Sequence, residues 1–152
     1  MVVSKFMKDK MISFGFSTNN IEIDKPKIDP QFKNFKWDRP IDVLYLGGQK
    51  EYKGYKLFLA AKKRMKNIKI LGIYNVPFQK MVEIYNKSKV LLVPSLWEEP
   101  LGLVSLEAKA CGCKVVASNI GGLPETHPDY LFEPGNVTEM IMKINEALKS
   151  YN

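Results

Sequence analysis

The chain has 152 residues, enough for one domain with a buried core, and its 45% hydrophobic and 26% charged content is ordinary for a globular protein and argues against disorder. Its formal charge of +7 comes from 23 Lys and Arg against 16 Asp and Glu. The basic residues are scattered lysines apart from Arg39 and Arg64, with no interleaved-aromatic RNA motif and no helix-turn-helix pattern, so nucleic acid is not an expected partner. A Lys-biased surface without a specific partner remains open, as does one that suits an anionic nucleotide or a membrane surface. No apolar run approaches the ~20 residues of a membrane span. The N-terminal MVVSKFMKDKM lacks the apolar core of a signal peptide. Cys111 and Cys113 are too few for a disulfide framework or a zinc site. The expected compartment is the reducing cytoplasm.

Ser4 can cap a helix whose Phe6, Met7, Met11 and Phe14 fall at roughly helical spacing, with Gly15 as its end. This helix reads either as a surface element or as a basic amphipathic contact at a membrane. Ile21-Glu22-Ile23 alternates like a brief strand. Pro30 to Pro40 has no clear period and reads as a loop. Ile41 to Leu46 is a strand, followed by the glycine-bearing turn Gly47-Gly48-Gln49-Lys50-Glu51-Tyr52-Lys53-Gly54 and a helix from Tyr55 to Met65. Such a strand-to-helix turn is a natural phosphate cradle, although a tight structural turn has the same composition. Ile68 to Gly72 reads as a strand, and Pro77 opens a helix to Asn86 with Met81, Ile84 and Tyr85 inward.

Val90 to Val93 is a continuous apolar run, as in a strand buried on both faces. A loop with Trp97, Glu98, Glu99 and Pro100 follows, then Gly102, a helix from Leu103 to Cys111, and Gly112 as its C′ glycine. Lys114 to Ala117 is the next strand. This is a βαβ unit with its loop at the carboxyl end of a strand, where open α/β sheets bind ligands. At about 100° per residue, Ser105 and Lys109 form the expected solvent stripe, which turns Glu107 toward the apolar side. A carboxylate there is costly unless hydrogen-bonded. Taken singly, Glu107 also fits a helix former at the rim, and Glu99 a helix-entry acid favoured by the macrodipole. Gly121-Gly122 begins another turn, and His127 reads as a turn residue before Pro128. Tyr130 to Phe132 is a last strand. Asn136 with Glu139 is a capping-box variant before a helix burying Met140, Ile141, Ile144, Ala147 and Leu148.

The string P-S-x-x-E-x-P-x-G-L-V-x-L-E-A-x-A-C-G, continued as V-V-A-S-x-x-G-G-L-P-E, resembles the signature of retaining GT-B glycosyltransferases. That group includes glycogen synthases, sucrose synthases and many bacterial mannosyl- and glucosyltransferases. Its hallmark is two Glu separated by seven residues, met by Glu99 and Glu107. The resemblance implies that Glu107 holds the ribose hydroxyls of a nucleotide-sugar and Glu99 the sugar. Amides near Gly102, Leu103 and Val104 would face the diphosphate. The turn after the first long strand resembles G-R-x-x-x-x-K-G, in which Arg and Lys clamp the diphosphate. Lys53-Gly54 fits its end; Gly48 stands at the Arg position, leaving Lys50 as a monodentate substitute. Gly47, Gly48, Lys50, Lys53, Glu99, Gly102, Leu103, Val104 and Glu107 are therefore the expected donor-site residues, with Glu99 and Lys53 the catalytic ones.

The resemblance implies a Rossmann-like α/β domain, the C-terminal half of a GT-B fold, with about five mainly parallel strands and helices on both faces. Residues 1–29 resemble the connection between GT-B halves, a helix plus a short strand, and residues 30–152 the nucleotide-sugar domain. One strand and helix found in typical members between the Lys53-Gly54 helix and the Pro77 helix is missing. The implied function is transfer of a sugar, with retention, from a nucleoside diphosphate such as UDP or GDP, with no metal and no other cofactor. An N-terminal acceptor domain, a partner subunit or self-association would complete the cleft. The alternative is a non-catalytic nucleotide-sugar-binding or scaffold protein of the same descent. A peripheral membrane contact fits either.

Overall fold

Short apolar runs bounded by turn residues pair into one parallel sheet in the computed structural model, which describes residues 1–151. The strands are β1 (Ile41–Tyr45), β2 (Ile70–Gly72), β3 (Ser88–Val93), β4 (Lys114–Ser118) and β5 (Tyr130–Phe132). Their spatial order is β2-β1-β3-β4-β5, and every neighbouring pair is parallel. The crossovers are α2 (Tyr55–Arg64), α3 (Phe78–Asn86) and α4 (Leu103–Ala110); α1 (Lys5–Ser13) precedes the sheet and α5 (Val137–Lys149) follows it. This is the five-stranded Rossmann-like α/β architecture expected from the sequence.

Successive side chains on a strand point to opposite faces, and both faces are covered. Val43, Tyr45, Val90, Leu92 and Val116 pack with Leu57 and Phe58 of α2 and Met140 and Ile144 of α5. Leu44, Leu91, Val115 and Ala117 pack on the other side with Tyr85 of α3 and Ala108 of α4. Burial on both faces is why these strands read as unbroken apolar runs. Each fully buried side chain of this size contributes roughly 1.5–3 kcal/mol.

The helix ends are tied by polar side chains. Asn136 Oδ1 accepts from the N–H of Glu139 at 3.0 Å, while Glu139 Oε2 accepts from the N–H of Glu133 at 2.9 Å. Glu139 thus braces the approach to α5 and does not return to the cap residue. Arg39 donates to the carbonyl oxygens of Tyr85 (3.1 Å), Ser88 (2.5 Å) and Cys111 (2.7 Å). One of the two arginines is therefore spent on carbonyls at the C-terminal ends of α3 and α4 and at the start of β3. Cys111 and Cys113 are buried free thiols, and burial pushes the Cys113 thiol up to about 12.

Two local expectations are corrected. Ile21-Glu22-Ile23 is no strand; Ile23 makes one isolated parallel bridge to Val2. The helix at Ser4, read as a surface element or a membrane contact, is α1, which buries none of its residues, and Phe14 is 70% exposed. Ser105 does not face solvent; it is fully buried, its hydroxyl without a hydrogen-bond partner. The turn Leu123–Thr126 packs against α4 and covers that side. Lys109 is the polar end of the stripe, and its ammonium donates to the carbonyl of His127. Among the described residues, no helix is long and apolar enough to cross a membrane.

Candidate functional site

In this strand order the chain runs outward from β1 to β2 and then returns to β3 on the other side of β1. The loops leaving β1 and β3 consequently diverge, and a crevice opens between the carboxyl ends of these strands. A cleft of about 370 Å³ lies there. Gly47 and Lys53 line it from the loop after β1. Ser95, Glu99, Gly102, Leu103 and Val104 line it from the loop after β3 and the start of α4. Six of the nine expected donor-site residues are thereby brought to one cavity.

The first loop is built around a phenol. The Tyr45 ring stacks on Phe58 with centroids 4.6 Å apart. Its hydroxyl lies 3.0 Å from the Gly48 carbonyl and 3.3 Å from that of Lys53, pulling both ends of the loop together. Burial pushes this phenol up to about 12. A short 3-10 turn, Glu51–Lys53, then leads to Gly54 at φ 81°. A Cβ at Gly54 would lie 1.9 Å from the Pro94 carbonyl oxygen, so the two loops meet backbone to backbone.

The second loop holds Glu99. This carboxylate is only 7% exposed. Its Oε1 lies 2.5 Å from Lys53 Nζ and accepts from Ser95 Oγ at 3.0 Å. A buried charge requires such partners. The backbone is held as firmly: the N–H of Gly122 donates to the Glu99 carbonyl at 2.7 Å. Side chains at Gly121 and Gly122 would press into residues 98–101. From the other direction, Ser4 Oγ donates to the Pro100 carbonyl at 2.5 Å, and Lys10 pairs with Glu98. Glu125 accepts from the N–H groups of Lys5 (2.9 Å) and Phe6 (2.7 Å). The start of α1 is thus clipped onto the loop that carries Glu99, and Val3 and Pro26 reach the cleft wall.

Gly102 enters α4 at φ 95°, and no acidic side chain occupies the first turn of that helix. First-turn N–H groups have no intrahelical acceptor, so the amides at Leu103 and Val104 are free to meet an anion. One turn on, Glu107 is half-buried and its Oε2 accepts from the Tyr85 hydroxyl at 3.0 Å. Burial raises the Glu107 carboxyl above its ordinary value, and the Tyr85 hydrogen bond partly opposes this. The Tyr85 phenol is held protonated, first by burial and then by Glu107.

Three expected residues stand apart from the cleft. Glu107 does not line it, although it lies one turn into α4 from Leu103 and Val104, which do. Gly48 (φ 63°) borders a smaller hollow with Tyr74, and Lys50 is exposed, its ammonium 5.8 Å from the Tyr52 ring. Sequence reasoning missed Tyr85 as the partner of Glu107, Tyr45 as the organiser of the first loop, and Glu125 as the anchor of α1. All three depend on long-range pairing; only the quoted G-G-L-P-E string gave a signal for Glu125. His127 sits at φ 49° as a turn residue and lines neither cavity. Among the described residues, no group of three or more His, Cys, Asp or Glu side chains could hold a metal ion.

Comparison with known proteins bears on the family and the fold. A 54-residue stretch is 48% identical to the alpha-maltose-1-phosphate synthase of Mycolicibacterium smegmatis, covering 36% of this chain and 14% of that enzyme. A 46-residue stretch is 52% identical to the D-inositol 3-phosphate glycosyltransferase of Saccharomonospora viridis, covering 30% of this chain and 10% of the other. Among solved structures, a glycosyltransferase from Rickettsia africae matches with a TM-score of 0.85 at 16% identity, over 99% of this chain and 53% of that one. Anabaena HepE, solved in complex with UDP-glucose, matches with a TM-score of 0.80 at 16% identity, over 99% of this chain and 54% of that one. The chain spans about half the length of these structural relatives and far less of the two enzymes. Residues 43–152 match the family model described as glycosyl transferases group 1, and the chain, with its Rossmann-like fold of the GT-B type, belongs to that family.

Proposed function

We propose that this chain is the donor half of a retaining glycosyltransferase and that its cleft binds a nucleoside-diphosphate sugar. The observation that carries the reading is the placement of Glu99 and Glu107 on either side of the α4 N-terminus, with Lys53 against Glu99 at 2.5 Å. The amides of Leu103 and Val104 receive the diphosphate, Lys53 adds a positive charge beside it, and Glu107 accepts from the ribose diol. Glu99 accepts from hydroxyls of the sugar. In the transfer, the bond from the anomeric carbon to the phosphate oxygen breaks and a bond to an acceptor hydroxyl forms on the same face. The acceptor proton passes to the leaving diphosphate, so neither a protein base nor a metal is required. UDP or GDP is the expected leaving group; HepE, of similar fold, was solved with UDP-glucose. An acceptor half, on the same polypeptide or on a partner, closes the cleft and places the acceptor.

A second reading, a nucleotide-sugar-binding scaffold without catalysis, is favoured by one observation. Gly48 replaces the arginine of the resembling motif, and Lys50 stays outside the cleft.

Thermal unfolding with UDP, GDP, ADP and TDP and their sugars tests the donor site. A ligand at 100 times its Kd adds about 2.7 kcal/mol. The expected result is a shift with one nucleotide that disappears in Glu107→Ala. No shift with any of them would overturn the donor-site reading. A shift without turnover, once an acceptor half is supplied, would leave the scaffold reading.

A further inference from the structure

Two large aromatic side chains stand in solvent beside the Lys53–Glu99 pair. Tyr52 and Trp97 each remain 45% exposed. Their ring centroids are 5.9 Å apart with planes at 74°, so they form an open corner and not a stack. Lys53 Nζ sits at the inner edge of the corner, 5.8 Å from the Tyr52 centroid and 5.9 Å from that of Trp97. The backbone beneath the two rings is tied across the loops. The N–H of Leu96 donates to the Tyr52 carbonyl at 2.8 Å, and the Ser95 hydroxyl lies 3.3 Å and 3.4 Å from the carbonyls of Tyr52 and Trp97.

Neither ring belongs to the two hydrophobic clusters that hold the sheet and its helices. Two adjacent exposed rings offer more contact area than a single scattered apolar side chain, and aromatics supply that area at little entropic cost. Lys53, with its side chain 31% exposed, sits at the corner, and Glu98, next to Trp97 in the chain and paired with Lys10, is 48% exposed. Flat apolar area beside a hydrogen-bonding charge matches a pyranose, whose C–H face is apolar and whose edge is hydroxyls.

Position selects which sugar. Glu107 lies past the α4 entry on the α3 side, whereas Tyr52 adjoins Lys53 and Trp97 precedes Glu99 in the loop. If Glu107 takes the ribose and Glu99 the transferred sugar, the corner lies beyond the sugar end of the donor. On the strength of the donor-site reading above, we propose that Tyr52 and Trp97 form an acceptor-side subsite that stacks a pyranose ring of a saccharide acceptor.

The test is saturation-transfer NMR on the full chain with three probes at millimolar concentration: methyl α-glucopyranoside, methyl α-mannopyranoside and maltotriose. Saturation should pass to the ring protons of one sugar face for at least one probe. The effect should fall about tenfold in Trp97→Ala and in Tyr52→Ala, and recover in part in Trp97→Phe. It should persist in Trp37→Ala, which removes the other tryptophan, one that stacks on Phe35 in the segment before β1. No transfer to any probe, or transfer that survives both alanine variants, overturns the subsite. So does displacement of the sugar by uridine with a shift of the Trp97 indole signal, since the corner would then hold a nucleobase. The nucleotide-dependent thermal shift in the same variants separates the two claims. It should remain in Trp97→Ala if the donor site is sound, and its absence from the wild-type chain would count against the donor reading alone.

Discussion

Lys53 and Glu99, 46 positions apart, meet at 2.5 Å and join the loop after β1 to the loop after β3. The pair closes the crevice from both sides, yet Glu99 is nearly buried and Lys53 is 31% exposed. Removing only the lysine leaves a buried carboxylate with Ser95 as its remaining side-chain partner. Lys53→Met is therefore expected to cost about 1–3 kcal/mol in urea unfolding. Adding Glu99→Gln removes the stranded charge and should recover part of that loss. A double variant no more stable than Lys53→Met would show that the ion pair does not hold the loops.

Glu107 yields a pH-dependent prediction. Burial raises its carboxyl above the ordinary 4.5. The folded state then binds this proton more tightly than the unfolded state. The group's stabilising contribution is complete below about pH 4.5 and is lost as pH rises through the folded value. Glu107→Gln keeps an oxygen for the Tyr85 hydroxyl but has no charge to desolvate. The variant's Tm should gain on that of the wild type as pH rises from about 4 to about 7, while any nucleotide-dependent shift is lost at every pH. A residue kept for binding at a cost in stability gives this crossed pattern; a purely structural carboxylate would not.

Much of this was legible beforehand because the sheet is buried on both faces. Val90 to Val93 and Val115 to Ala117 are apolar runs near turn residues, and local pattern alone places them. The Glu99–Glu107 spacing brought the loop after β3 and α4 to notice together. What escaped notice depends on distant partners. Ser105 reads as a surface position until the Leu123–Thr126 turn is laid over α4. Ile21-Glu22-Ile23 alternates like a strand but finds only Val2 to pair with. No local period encodes Glu125 reaching Lys5 and Phe6 across 120 and 119 positions.

That last contact defines how α1 is held. With no buried residue, the helix depends on Ser4, which accepts from the N–H of Met7 at 3.1 Å, and on Glu125. Loss of an N-cap serine costs typically ~1 kcal/mol. Because few apolar contacts resist opening, the loss should appear locally and not in the global midpoint. Ser4→Ala and Glu125→Ala should each speed hydrogen exchange of the α1 amides by roughly fivefold, as ~1 kcal/mol implies. Exchange in β1 and β3 should be unchanged. Acceleration spread evenly over the sheet would instead mean that α1 and the core open as one unit.

Gly54 and Gly15 give a matched pair that separates backbone strain from collision. Both have positive φ, 81° and 91°. A Cβ on Gly15 meets nothing within 4 Å, whereas one on Gly54 would lie 1.9 Å from the Pro94 carbonyl oxygen. Gly15→Ala should therefore cost only the left-handed backbone term, roughly 1–2 kcal/mol, and confine it to the C-terminal end of α1. Gly54→Ala carries the same term plus the separation of two loops that meet through their backbones, about 1–3 kcal/mol more by analogy with overpacking. The urea midpoint should drop well below that of Gly15→Ala with the slope unchanged. If the nucleotide site depends on this approach, the variant should also lose its thermal response to nucleotide while Gly15→Ala keeps it. Equal costs for the two substitutions would mean that the loop after β1 can move away from Pro94 freely, and the close approach would then play no part in holding Lys53 against Glu99.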